Sequence, residues 1–414
     1  MTDTAIATPS ARALAPVLAK DRIFNLDMLR GFAVLGILAV NAMAFAWPID
    51  LQMSEAARPF ALTGANGVGH WVVDIFFYDK FRTLFTMLFG VSVFLVGGDG
   101  SDPARGKLLV RRLLWLLVFG AIHGLAFWFG DILLHYAYCG LIMMLMRRWS
   151  AKRLLWIGGG ISLLWGLVAV GFTLLFANLG PQFEEAMKAG QPQITPADVM
   201  ATVEIYRTGV LGALTENAEA WGMLQLVVSP ILIPITVPLM MLGLGLFKSG
   251  FLSGRSPVWV YSILIAAAAA NLGVFGIVKW GEMNGQTFSP GGLGEAAGGL
   301  APLITLGYAS LLILMARFGL KPLVAVFVPV GRMAFTNYLT QTLIMVTLFY
   351  APWGPKWFGT MEPAALWGVV GAIWVAQIVW SPLWLSRFQM GPFEWAWRCL
   401  TYGRRVPLRK GAAA

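Results

Sequence analysis

Cysteine is almost absent: the 414 residues include two, Cys139 and Cys399. Two such distant positions give neither a disulfide framework nor a cysteine metal site. Charge is scarce as well. Charged residues make up 12% of the chain and hydrophobic ones 58%, where a soluble domain carries about a quarter charged. A chain so poor in charge cannot cover itself with polar surface, so its solvent is lipid. Motif chemistry is missing too. There is no Walker loop, no GxGxxG after a strand and no HExxH, which excludes the commonest nucleotide and zinc-protease readings. The first 22 residues have no continuous apolar run, so they read as a disordered cytoplasmic tail rather than a signal peptide. No polar linker divides the rest.

What is present is a series of apolar runs near the length a spanning helix needs, about 20 residues. They lie at 28–48, 75–97, 109–129, 131–146, 154–177, 222–247, 257–279, 297–316, 331–350 and 364–384. The predicted fold is an all-α polytopic membrane protein of about ten helices. Its expected parts are a tail (1–22), an N-terminal half (23–221), a C-terminal half (222–403) and a basic tail (404–414). Ten alternating spans put Arg58, Lys80, Arg82, Lys188, Arg207, Lys279 and Lys356 outside, leaving 23 of the 30 Lys and Arg inside. By the positive-inside rule both termini are then cytoplasmic and the chain belongs in a bacterial inner membrane. The net charge of +10 is thereby assigned to topology and anionic lipid, not nucleic acid. The longest outer loop, about 178–221, is acidic. Pro230, Pro234 and Pro238 should bend the sixth span.

Ionisable and polar groups inside spans are costly, so each is a functional hypothesis. Asp27 and Arg30 are three apart at the start of span one, beside Gly31. They form either a local ion pair or, with Arg30 meeting phosphate, an anion site. Asn41 lies about 16 Å deeper, at about 1.5 Å per residue, and reads as helix glue or a site residue. His70 and Asp74, four apart near the outer surface, suit an oriented general base or a solvated pair. His123, Asp131 and His135 gather around a tight turn. They are a proton-handling cluster or a structural network, and they lack the marks of a metal site. From Arg332, Thr336, Asn337, Thr340 and Gln341 fall on one stripe, with Tyr338 beside it. That stripe should face a cavity or other helices.

Five stretches together resemble the YeiB-like family of bacterial membrane proteins, whose C-terminal part is the domain of unknown function numbered 418. They are Leu26-Asp27-Met28-Leu29-Arg30-Gly31 running to Asn41, Lys80-Phe81-Arg82-Thr83-Leu84-Phe85, and His123-Gly124 running to Gly130-Asp131. Gly331-Arg332-Met333-Ala334-Phe335-Thr336-Asn337-Tyr338 and Gly391-Pro392-Phe393-Glu394-Trp395 complete the set. More distantly the family resembles the transmembrane acyltransferases, which move an acyl group from cytoplasmic acyl-CoA to an acceptor, often a sugar on the far side. Their first span also opens on an Asp-x-x-Arg-Gly-type motif. The acyltransferase-three branch carries its catalytic His eleven residues after that Arg. Asn41 stands there in this chain, and an amide cannot take a proton from an attacking hydroxyl. The branch resembling heparan glucosaminide acetyltransferase has its His in the loop after span one, where His70 lies, although the spacing to Asp74 differs.

The resemblance implies acyl-CoA as co-substrate, with its phosphates at Arg30 and Arg332, beside Asp27, and either Arg82 or cytoplasmic loop residues as a further contact. It also implies His123 or His70 as base, Asp131 or Asp74 as orienting carboxylate, and a sugar or lipid-linked acceptor. No bound cofactor or metal is expected. The rival reading is a transporter or flippase in which Asp131, His123 and His135 relay protons and the proline-rich span moves. A non-catalytic membrane protein is the third.

Overall fold

The computed structural model describes residues 23–53, 57–180, 182–183, 194–288 and 291–411. The expected tail at 1–22 lies outside them. Among the described residues the fold is helical, apart from one isolated bridge between Phe388 and Arg409. The main helices are α1 (Phe24–Ala46), α2 (Gly64–Val72), α3 (Lys80–Gly97), α4 (Pro103–Ala126), α5 (Leu133–Met146), α6 (Ala151–Ala177), α7 (Pro196–Thr208) and α8 (Val210–Met223). They continue as α9 (Ser229–Lys248), α10 (Val258–Met283), α11 (Ala301–Arg317), α12 (Phe327–Arg332), α13 (Ala334–Phe349), α14 (Pro363–Arg387) and α15 (Pro392–Tyr402). Single turns of π-helix, Val73–Phe77 and Leu224–Val228, extend α2 and join α8 to α9.

Local sequence explains several boundaries. Asp102 accepts the Ala104 N–H and Pro103 occupies the first turn of α4, a pairing suited to a helix start. Ser150 caps α6 through the Arg153 N–H. Small residues set the crossings. A Cβ on Gly90 of α3 would run into the Met240 carbonyl, and one on Gly243 of α9 into that of Met87. Without such glycines the two backbones could not approach this closely.

Seven helices are long and apolar enough to cross a membrane, or eight if one sharply bent pair counts as a single span. The expected number was ten. The shortfall lies in the fourth and eighth spans, where α5 and α11 are apolar but short, and in the ninth. There the chain breaks at Met333, between Lys321–Arg332 and Ala334–Phe349, with a bend of 78°. Two further expectations change. The outer loop at 178–221 is helical over α7 and α8. In addition, α8, the π-turn and α9 form one run, Val210–Lys248, that crosses the expected boundary between halves. Pro234 and Pro238 sit inside α9. The bent pair named above is the sole helix pair meeting the span test that bends by more than 40° among the described residues.

Candidate functional site: an arginine-walled cavity and a buried histidine

Two glycine motifs meet where the site begins. A Cβ on Gly31 of α1 would run into the Phe327 carbonyl, and one on Gly331 of α12 into the Asp27 carbonyl. Backbone thus lies on backbone, and the residues that precede and follow these glycines, Arg30 and Arg332, are carried into the wall of one cavity. Arg30 pairs with Asp27 (Nη1–Oδ1 3.0 Å) and donates to Ser92 (3.3 Å). Arg332 Nη2 reaches the Gln389 carbonyl at 3.5 Å. Arg112 of α4 and Arg398 of α15 complete the set, with the Arg112 guanidinium 3.6 Å from the centre of a Trp397 ring.

The cavity holds about 320 Å³ and its other walls are largely apolar. Along α1 it reaches from Leu26 to Ile37, about 16 Å of helix at about 1.5 Å per residue. It therefore runs from the end of α1 that carries the arginines to the middle of that helix, where Tyr136 and Tyr338 close it. At the arginine end a shallow groove carries Lys107, Arg111 and Arg404 and shares Leu108, Thr401 and Tyr402 with the cavity.

Helix α15 forms one side of this cavity and is docked by Glu394. Its carboxylate accepts the backbone N–H groups of Phe335 (2.8 Å) and Thr336 (3.1 Å) and the Thr336 hydroxyl. These are the free donors at the start of α13, so a side chain 58 residues away caps the broken span. Burial pushes the Glu394 carboxyl above the usual glutamate value, while the hydrogen bonds from Thr336 and Phe335 act against that rise.

The histidines are separated. His123 is buried, with Nδ1 2.8 Å from Asp131 Oδ1 and Nε2 2.9 Å from Thr342 Oγ1. Asp131 also accepts the N–H groups of Leu133 and Leu134, so it caps α5 and orients the imidazole at once. Because the carboxylate oxygens serve as acceptors, Nδ1 carries the proton and Nε2 faces Thr342. His123 does not line the cavity, but its ring centre is 5.3 Å from that of Tyr338, which does. His135 leaves the expected cluster. It bonds Ser229 (2.6 Å) and Thr236 (2.8 Å) of α9 and Tyr138 (3.0 Å) of its own helix. The reason is that α5 begins at Leu133, after Asp131, so the four-residue spacing does not place the two on one helix face. His70 and Asp74 do meet, at 3.4 Å and half-buried, remote from the arginines in the sense that neither lines their cavity. Among the described residues no three His, Cys, Asp or Glu side chains converge as metal ligands would.

Of the expected polar stripe, Tyr338 alone lines the cavity. Asn337 bonds the Val330 carbonyl, Ser381 and Trp380, and Gln341 bonds the Val34 carbonyl and Gln377. They join helices rather than face open space, and Thr336 is taken by Glu394. Asn41 is half-buried on α1, outside the cavity wall. Arg82 is held by Asp79 at 2.6 Å and does not join the other arginines. Arg112, Arg398, Glu394 and Thr342 were not singled out from the sequence. Glu394 stood in a recognised stretch, but nothing in its spacing indicates that α15 folds back on α13. Arg112 is one of the 23 Lys and Arg that ten alternating spans leave on the inner side, with nothing in the sequence to set it apart.

The family described as Protein of unknown function (DUF418) matches residues 246–404. The chain is 29% identical over 424 aligned residues to the uncharacterized protein YxaH of Bacillus subtilis strain 168, with 96% of this chain and 98% of that one covered. It is 31% identical over 389 residues to the uncharacterized protein YeiB of Escherichia coli strain K12, covering 92% and 96%. An uncharacterized 39.9 kDa protein from the amylase 3′ region of Bacillus acidopullulyticus is 28% identical over 403 residues. No solved structure matches. With such similarity across nearly its whole length, this helical, membrane-type chain belongs to the YeiB-like, DUF418 family.

Proposed function

We propose that the protein is an inner-membrane acyltransferase whose arginine-walled cavity takes cytoplasmic acyl-CoA and whose acceptor is a sugar or lipid-linked group of the envelope. The observation that carries this reading is the cavity itself. Four arginines line an apolar space that continues into a groove with three more basic residues. That sequence of surfaces suits an elongated ligand with phosphates along one part and an uncharged arm at the end. Arginine offers planar, paired donors to phosphate, and the four arginines of the wall outnumber its two carboxylates, Asp27 and Glu394, a balance that suits an anionic ligand. The pantetheine arm and acyl group would enter the apolar part, with the nucleotide in the groove of Lys107, Arg111 and Arg404.

His123, oriented by Asp131, is the base nearest the inner end. It would take the proton of the acceptor hydroxyl as that oxygen attacks the thioester carbonyl, and the coenzyme A thiolate would leave and be protonated. Tyr338 lies beside the ring and lines the cavity, so the acceptor hydroxyl has to reach the imidazole past Tyr338. That same separation favours the second reading, a transporter or flippase, in which the cavity holds an anionic amphiphile and His123 relays protons.

Purified protein titrated with acetyl-CoA tests the binding half. Arg30→Gln with Arg332→Gln should weaken binding at least tenfold while the protein elutes as the folded species. Unchanged affinity removes the donor site. Incubation with labelled acetyl-CoA and membrane extract tests the transfer half. A labelled product supports the enzyme; binding without product, together with uptake into vesicles, supports the transporter.

A further inference from the structure

Tyr338 is the polar end of an apolar cavity. It lies on α13, one turn before Thr342, and is 5% exposed. Its phenol oxygen is buried beside the Ile132 N–H, from which it can accept only weakly, and its own proton finds no acceptor among the described residues. This contrasts with Tyr136, which closes the same end and is satisfied by Thr86 at 2.7 Å and the Arg82 carbonyl at 3.3 Å. Leaving a buried hydroxyl unbonded costs about 1–3 kcal/mol, and native interiors rarely tolerate it without a use. Ile132 and Leu133, the residues that follow Asp131, line the cavity beside it. The unsatisfied donor thus belongs to a ring that lines the cavity and lies 5.3 Å from that of the oriented histidine.

We infer that Tyr338 is a ligand-positioning residue whose phenol donates a hydrogen bond to a carbonyl oxygen at the uncharged end of the ligand bound in this cavity. In the acyl-CoA reading, on which this inference rests, that oxygen is the thioester carbonyl. The arginines would fix the anionic part and Tyr338 the acyl end, so the two ends of the cavity select for different features of one molecule. A ligand with the same charge and length but no carbonyl would leave the phenol unsatisfied and bind less well.

The comparison that tests this uses acetyl-CoA and S-ethyl-CoA, a thioether of similar size that lacks the carbonyl. Detergent-solubilised full-length protein should bind acetyl-CoA about three- to tenfold more tightly, the range of one neutral hydrogen bond. Tyr338→Phe should abolish that preference by weakening acetyl-CoA and leaving S-ethyl-CoA unchanged. Equal affinity of the wild-type protein for the two ligands overturns the inference with no variant needed, so a poorly folding Tyr338→Phe does not rescue it. A preference that survives in Tyr338→Phe also overturns it, as does an equal loss for both ligands. Failure of the wild-type protein to bind either compound removes the acyl-CoA reading itself, and this inference falls with it.

Discussion

At the scale of single residues, His123 and Asp131 illustrate how a local turn decides a pairing. Counting helical rise through 129 separates the two. The helix instead ends at Ala126, and the N–H groups of Phe127 and Trp128 both return to the His123 carbonyl. The chain therefore turns beside the imidazole and delivers Asp131 to its Nδ1. Within-helix pairs were legible from spacing alone: Asp27 with Arg30 and His70 with Asp74 meet as three- and four-residue offsets dictate. Pairs across a turn or between distant helices, such as His123 with Thr342, leave no periodic trace. His123→Ala takes one hydrogen-bond partner each from Asp131 and Thr342 in a dry interior, which should cost roughly 1–3 kcal/mol and lower the melting temperature of the solubilised protein. Acyl transfer should be lost while acetyl-CoA affinity stays unchanged, because His123 is outside the cavity wall. Full transfer activity in that variant would remove His123 as the base.

At the scale of elements, the apolar runs were legible and their continuity was not. Each of the ten expected stretches coincides with an apolar helix or the bent pair, yet nothing in the composition of 331–350 marks the break at Met333. Hydropathy reports apolar composition alone, and both arms of the break are apolar, the first exposed at Leu323 and Val326 and the second mostly buried. The polar stripe counted from Arg332 assumed one helix. With Arg332 on α12 and the rest on α13, the amides of Asn337 and Gln341 turn toward α14 and α1 instead. Glu394 is what holds the break closed from α15. Since burial raises its carboxyl above the ordinary value, the folded state retains a proton that the unfolded chain has released. Stability therefore falls as pH rises through the window from the ordinary glutamate value up to the raised one. Thermal unfolding measured across acidic pH should reveal this slope, and Glu394→Gln, which is neutral throughout, should flatten it. An identical slope in the variant would mean that Glu394 does not titrate differently on folding.

At the scale of the whole molecule, many large apolar side chains remain exposed, among them Leu163, Leu164, Leu226 and Ile277. Such an apolar outer face is stable in lipid and not in water. The bias of Lys and Arg toward one side predicts that the arginine end of the cavity faces the cytoplasm. A cytoplasmic reporter fused after Ala414 should be active and a periplasmic one silent; the opposite pattern would invert the topology and put the donor site outside. The crossing of Gly31 on Gly331 carries a consequence for the order of assembly. The two glycines are 300 residues apart in the chain, and ribosomes add about 5–20 residues per second. The first helix therefore waits roughly 15–60 seconds in the bilayer with its bare glycine face uncovered before its partner is made. During that interval the arginine cavity has its walls from α1, α3 and α4 but lacks those from α12, α13 and α15. A newborn chain is thus unable to bind its ligand until its last third has been translated and inserted.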